Sequence, residues 1–321
     1  MQAEITRNRA GYGLANLRRY RQVFLLGAIV AVATGVSDGR FLQPENLIVV
    51  IASASAFGLV SFGQALVVIG GGFDLSVGSL VAMCISAIVY FRGDFGIVGG
   101  TAAALLVVVG AGLVNGFVIT RTKIPSFIVT LGMLSIAESM SWLLAAGQPI
   151  TVSEFNDGIA PLFSWLPLGE NVFPIIALAV GFGGTALLLH RSRWGRYIYA
   201  IGANEAAARI TGVPLRATKM LTYGLSGLLC WLAAVVYLYQ NVSATPGEGA
   251  DYLLLSFAAT MVGGVYMYGG DGSIPGTLVG VLCLASVTSA LTIAGVAPSI
   301  YQGVVGLIVL TVVLFQARIR K

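Results

Sequence analysis

LIVVIASASAFGLVSFGQALVVIGGGFDLSVGS, residues 47–79, decides how the rest of the chain is read. Its first part, 47–69, carries no Asp, Glu, Lys or Arg. A helix needs about 20 apolar residues to cross a bilayer core of about 30 Å, so 47–69 reads as one complete span. Gly70-Gly71-Gly72-Phe73-Asp74 then interrupts the run before a second apolar stretch starts at Leu75. Glycines permit a tight break, and a carboxylate there can accept the first free N–H groups of the next helix as its N-cap. Broken helices of transporters also line substrate or gating sites. Both readings apply to Asp74 and to Ser76 beside it.

The same pattern repeats on either side. The 321 residues are 57% hydrophobic and 10% charged, with a mean hydropathy of +0.90. Soluble domains carry about a quarter charged residues, so water is the wrong solvent for most of this surface. Ten segments are expected to span: 22–37, 47–69, 75–91, 97–120, 124–147, 173–190, 219–240, 252–268, 274–294 and 298–315. The fold class is thus an all-α integral membrane protein with interrupted helices. Its parts are a basic cytoplasmic segment 1–21, one polytopic domain 22–317 and a basic tail 318–321. The first apolar run lacks a small-residue cleavage site and reads as a retained helix.

Charge sets the orientation, because Lys and Arg stay on the cytoplasmic side. With the N-terminus inside, sixteen of the eighteen basic residues fall inside; only Arg40 and Arg92 do not. Inside lie Arg121, Lys123 and the loop 190–219, whereas the outer loop 148–172 holds Glu154, Asp157 and Glu170 and no base. Both termini are expected to be cytoplasmic.

Several lines of chemistry are absent from the sequence. There is no phosphate-binding G-x-x-x-x-G-K-[ST] loop and no H-E-x-x-H, so nucleotide hydrolysis has to come from a partner. Cys84, Cys230 and Cys283 sit in apolar runs without a CxxC and read as small buried hydrophobes. One histidine, His190, borders a basic loop and cannot make a metal site alone. Glycine pairs four apart, such as Gly112/Gly116 and Gly276/Gly280, let helix backbones approach closely in lipid.

Two polar features remain. Ser135, Glu138, Ser139 and Trp142 share one face of the fifth span, at i, i+3, i+4 and i+7. A charge at the centre of a span costs about 2.5–3.5 kcal/mol on insertion scales, so Glu138 needs a polar cavity or a partner. A solute pathway and an interhelical hydrogen-bond cluster both fit this face. Asp271-Gly272-Ser273 resembles a second break, and Glu248 and Asp251 are either solvated loop charges or a docking edge for an external partner. The loop 190–219 is the longest charged stretch. Within it Asn204 caps a short alanine-rich helix, Glu205 to Arg209, ended by Gly212 and Pro214; such a helix fits a groove on another protein.

Three segments carry a family resemblance: Gly71-Gly72-Phe73-Asp74-Leu75-Ser76-Val77-Gly78-Ser79, then Gly195 to Gly202 with Asn204 through Gly212, then Gly263-Gly264 with Gly269-Gly270-Asp271-Gly272-Ser273 and Gly276. Together with Ile124-Pro125, Leu131-Gly132 and Gly147-Gln148-Pro149-Ile150 they resemble the permease subunits of ribose-type and related ABC sugar importers, from about 47 to 315. The resemblance implies a bacterial inner (plasma) membrane permease for a monosaccharide or polyol, paired with a second copy or a paralogue. It further implies an ATP-binding cassette ATPase subunit carrying ATP and Mg, a periplasmic or extracellular solute-binding protein, and no cofactor or nucleic acid on this chain. The coupling element then comprises Arg196, Gly202, Asn204, Glu205, Ala207, Arg209 and Gly212. The translocation pathway comprises Asp74, Ser76, Ser135, Glu138, Ser139 and Trp142. This chain departs from the family pattern in having Glu138-Ser139 where Arg-Gly is usual, and Phe73 where Ile is usual. A nucleoside or branched-chain amino acid permease is the alternative within the superfamily. An autonomous channel or ion-coupled carrier is the alternative outside it, although such a carrier is expected to hold several paired intramembrane charges.

Overall fold

The computed structural model describes residues 22–151, 168–241 and 243–319. These form a helical bundle: α1 (Gln22–Val36), α2 (Pro44–Ile69), α3 (Val77–Arg121), α4 (Ser126–Leu144), α5 (Val172–Arg191), α6 (Arg193–Ala203), α7 (Glu205–Ile210), α8 (Leu215–Gln240), α9 (Asp251–Val262), α10 (Ile274–Ile293) and α11 (Tyr301–Ile319). One short antiparallel pair, β1 (Ile150–Thr151) and β2 (Ser243–Ala244), sets Ile150 opposite Ala244. Arg7, Arg9, Arg18, Arg19, Arg21, Glu154, Asp157, Arg320 and Lys321 lie outside the described residues.

Each of the ten expected segments falls on an apolar helix, with 75–91 and 97–120 on the two limbs of α3. That element is a hairpin, not a rod. Gly96 takes φ 66 and ψ 177, and a methyl on Gly100 would lie 2.7 Å from the Ile88 carbonyl oxygen. Twelve residues of straight helix would separate those two by about 18 Å. By length and composition, six helices qualify as membrane spans among the described residues: α2, α3, α4, α5 with its preceding turn, α8 and α10. α1 and α9 are apolar but shorter, and α11 is apolar over Tyr301–Val312. α9 stops at Val262, short of the expected 268, because Gly264 turns left-handed (φ 84) and the Val265 N–H closes on the Thr260 carbonyl. This is a Schellman stop, and glycine alone enters it without strain.

α2, α8 and the first limb of α3 make the centre of the core, where Phe62, Leu66, Ile69, Leu80, Ile85 and Tyr223 are buried. Lipid tails are as apolar as these side chains, so close packing rather than hydrophobic burial holds the helices together. The four-spaced glycines serve this. A methyl on Gly112 would overlap the Tyr223 carbonyl oxygen, one on Gly116 would lie 2.7 Å from the Met220 Cα, and ones on Gly276 and Gly280 would overlap the Gly263 and Ala259 carbonyls. The three cysteines are buried and unpaired, and His190 lies in the last turn of α5.

The two ends of the bundle differ chemically. At one end Lys123, Arg209 and Lys219 line a single cavity with Glu205. At the other, the β pair stitches the chain after α4 to the chain after α8. The turn before α4 thus meets α7 and the start of α8 at one cavity, and the chain after α4 pairs with the chain after α8.

Gly112→Ala is expected to lower stability by about 1–3 kcal/mol, the range for overpacking a tight contact. Gly110→Ala, with nothing within 4 Å of the added methyl, should be neutral or gain up to about 1 kcal/mol of helix propensity. Melting of the two variants in detergent checks this; equal melting would remove the assigned role of Gly112.

Candidate functional site

The break at 70–76 is built from both of its ends. α2 closes with Gly71 left-handed (φ 76), the Gly71 N–H on the Val68 carbonyl and the Gly72 N–H on the Val67 carbonyl. Beyond that stop the backbone leaves helical pairing, and neighbouring helices satisfy it. The Phe73 N–H donates to Ser126 Oγ at 3.0 Å, the Leu75 N–H to Thr130 Oγ1 at 3.1 Å, and the Phe73 carbonyl accepts from the Tyr223 hydroxyl at 3.1 Å.

Asp74 is fully buried. Its Oδ1 accepts from the Ser76 N–H at 3.0 Å and the Ser76 hydroxyl at 2.5 Å, and its Oδ2 accepts from Ser226 at 3.1 Å. Asn115 Nδ2 donates to Ser76 Oγ at 3.1 Å. The N-cap reading of Asp74 needs adjustment. The cap position is Ser76, and the carboxylate grips the residue at the cap rather than an N–H inside the helix.

A second break, 263–273, docks directly on the first. The Gly270 N–H donates to the Ile69 carbonyl at 2.8 Å, and a methyl on Gly269 would lie 2.8 Å from the Gly71 Cα. α10 begins from Ser273, which caps the Gly276 N–H, so here too the aspartate, Asp271, is not the cap.

The basic loop reaches this same place. Ser192 caps α6, and Ile198 and Ile201 turn the helix inward. At its end, a methyl on Gly202 would overlap the Ile69 carbonyl oxygen and lie 2.5 Å from the Gly270 nitrogen. The Tyr199 hydroxyl donates to the Gly272 carbonyl at 2.7 Å; burial, then the nearby Asp271, raises its pKa above the usual phenol value, which keeps it a donor. All three segments that carry the resemblance therefore meet backbone to backbone at Gly71, Gly202, Gly269 and Gly270.

α7 hangs below this junction. Asn204 Oδ1 accepts the Ala207 N–H at 3.0 Å, Ala208 is buried, and Gly212 ends the helix at φ 79. Glu205 pairs with Lys219 at 2.7 Å and more loosely with Arg209 at 3.9 Å. The Arg209 side chain is 74% exposed, and Arg196 is exposed on α6. Ile210, which the sequence reading passed over, is 88% exposed. Its signal is a lone isoleucine between Arg209 and Thr211, two residues beyond Ala208 and so nearly opposite the inward face.

On α4, Ser135, Glu138, Ser139 and Trp142 all lie on the exposed side, while Ala137 and Ser141 are buried. Ser141 ties α4 to α3 through Ser86 at 2.9 Å. Glu138 borders a small cavity of about 130 Å³ with Leu75, Ser79 and Gly247. The α4 face is thus apart from the Asp74–Ser76 cluster, which is sealed inside the bundle. The sequence also gave no notice of Asn115, Ser126, Thr130, Tyr223 and Ser226, which are single polar residues in apolar helices and become partners only through the tertiary fold.

Comparison with known proteins bears on the same residues. A family profile described as branched-chain amino acid transport system / permease component matches residues 46–314. The ribose import permease protein of Escherichia coli (strain K12) is 31% identical over 314 residues, 97% of each chain. Its counterpart in Bacillus subtilis (strain 168) is 34% identical over 297 residues, 90% of each. The L-arabinose transport system permease protein of Escherichia coli (strain K12) is 32% identical over 289 residues, 90% of this chain and 87% of the other. No solved structure matches. With nearly its whole length matched and apolar helices throughout, the chain belongs to this family of multi-pass membrane permease components.

Proposed function

We propose that this chain is the membrane-spanning subunit of a bacterial inner-membrane importer for a monosaccharide or related polyol. A separate ATP-binding subunit, holding ATP and Mg, drives it, and a solute-binding protein feeds it from outside. Two permease subunits assemble, each with ten spans and both termini in the cytoplasm. The observation that carries the reading is the junction of Gly71, Gly202, Gly269 and Gly270. It joins an exposed helix on the basic loop to both broken segments with no side chain between. The names of the relatives favour a sugar over the branched-chain amino acid of the profile's description.

In this reading α7 is the coupling element. Ala208 anchors it, Ile210 inserts as an apolar knob into the ATPase, and Arg196 and Arg209 supply charge at the rim. Glu205 holds α7 to α8 through Lys219, so it positions the helix as well as bordering the contact. Ser135, Glu138, Ser139 and Trp142 face the solute path, and the Glu138 carboxylate accepts hydrogen bonds from solute hydroxyls. Asp74 and Ser76, being buried, hold the break beside the path in register.

Arg209→Glu and Ile210→Asp should each abolish co-purification of the ATPase and ATP-driven uptake while the permease stays in the membrane at normal level; uptake at the parent rate in both would refute the docking assignment. Glu138→Gln should slow sugar uptake without changing ATPase binding, and an unchanged rate would take Glu138 off the path. Asp74→Ala leaves buried donors unpaired at about 1–3 kcal/mol each, so little folded protein is expected. Asp74→Asn, which keeps one acceptor oxygen, should retain more. Equal melting of Asp74→Ala and the parent protein would show that the carboxylate is not what holds the break.

A further inference from the structure

Two cavities approach the break at 70–76 from opposite sides. The larger, about 770 Å³, runs from Asp251 and Gln302 to Phe73 and Phe257. Gln302 Nε2 donates to Asp251 Oδ1 at 2.5 Å, so its upper rim is a polar pair; its walls, with Leu253, Leu254 and Val305, are apolar. The smaller, about 510 Å³, lies among Gly70, Lys123, Ser126, Glu205 and Arg209. Among the described residues, Phe73 is the single one bordering both.

Its surroundings suit a partition. The Phe73 ring stands 6.3 Å, centroid to centroid, from that of Phe257 at a tilt of 32°, within the range where aromatic pairs attract. Its backbone is fixed on both sides, by Ser126 at the N–H and Tyr223 at the carbonyl. Residues 70–72 immediately before it carry no side chains, and a methyl on Gly71 would lie 3.3 Å from the Gly202 Cα. A displacement of α6 therefore bears on the backbone at Gly71, two residues before the Phe73 ring.

We infer that Phe73, closed against Phe257, is the inner gate of the solute path. It separates an outward chamber that holds a hydroxyl-rich solute below the Asp251–Gln302 rim from an inner vestibule beside the coupling helix. The assignment of inner and outer sides rests on the orientation proposed above. The gate belongs to this chain in particular, because it depends on an aromatic ring at position 73. Its geometry also fits transport, since a passing solute needs a site favourable enough to enter and weak enough to leave.

The test is sided labelling of a thiol in the chamber. Cys84, Cys230 and Cys283 are 0%, 0% and 1% exposed and form a silent background. Leu254, on the chamber wall, is 38% exposed. The full-length Leu254→Cys protein in right-side-out and inside-out membrane vesicles is treated with a membrane-impermeant maleimide. With Phe73 intact, labelling is expected from the outer face alone. Adding Phe73→Ala should abolish that sidedness, whereas Phe73→Tyr, which keeps the ring, should retain it. If Phe73→Ala fails to insert, Phe257→Ala, which removes the facing ring, should likewise abolish sidedness. Sidedness unchanged by loss of either ring, labelling from both faces with Phe73 present, or labelling from neither would overturn the gate. The readout needs neither sugar nor ATPase. Intact gating in a protein that carries no sugar would refute the importer reading alone, and sugar uptake with unchanged sidedness would refute the gate alone.

Discussion

A backbone that leaves helical pairing inside a membrane finds no water to replace its lost hydrogen bonds, and each unsatisfied group costs several kcal/mol. That constraint shapes the centre of this protein. The seven residues between α2 and α3 depart from helix; Ser126 and Thr130 from α4 and Tyr223 from α8 pair with their backbone, while Ser226 from α8 and Asn115 from α3 bond the side chains of Asp74 and Ser76. The Ile69 carbonyl, left over at the end of α2, is taken by the Gly270 amide from the second break. The second irregular segment thus supplies the donor that the first one lacks.

Glycine makes this pairing possible. Main-chain atoms of Gly71, Gly202, Gly269 and Gly270 approach so closely that any β-carbon would collide with a neighbour or crowd it. A contact of this kind has little compliance, because packed interiors are bistable rather than continuously deformable. Long side chains at the same place would absorb a push from below by changing rotamer. Bare backbone passes it on.

Much of this was legible beforehand, for physical reasons that differ from feature to feature. The spans were legible because hydrocarbon thickness fixes the length of an apolar run, and the hairpin limbs of α3 were separable because Arg92, Gly93 and Asp94 dilute the run between them. The short helix α7 announced itself through Asn204 and Gly212, residues whose conformational preferences act locally. The amphipathic face of α4 followed from helical spacing alone. What stayed hidden was long-range. Ser126, Thr130, Tyr223 and Ser226 look like incidental polar residues until the fold sets them around Asp74. The capping role expected of that carboxylate shifted by two residues for the same reason. Ile210 was overlooked because an isolated apolar residue in a polar loop is unremarkable until its neighbour Ala208 proves to point inward.

The order in which the chain is made gives the paired breaks a temporal consequence. Gly71 and Gly270 are separated by 199 residues, and at a synthesis rate of about 5–20 residues per second the wait between them is roughly 10–40 s. Throughout that interval the Ile69 carbonyl sits in a nascent bundle whose second break has not yet been synthesised. The first half of the protein therefore enters the membrane before the final partner of that carbonyl has been made.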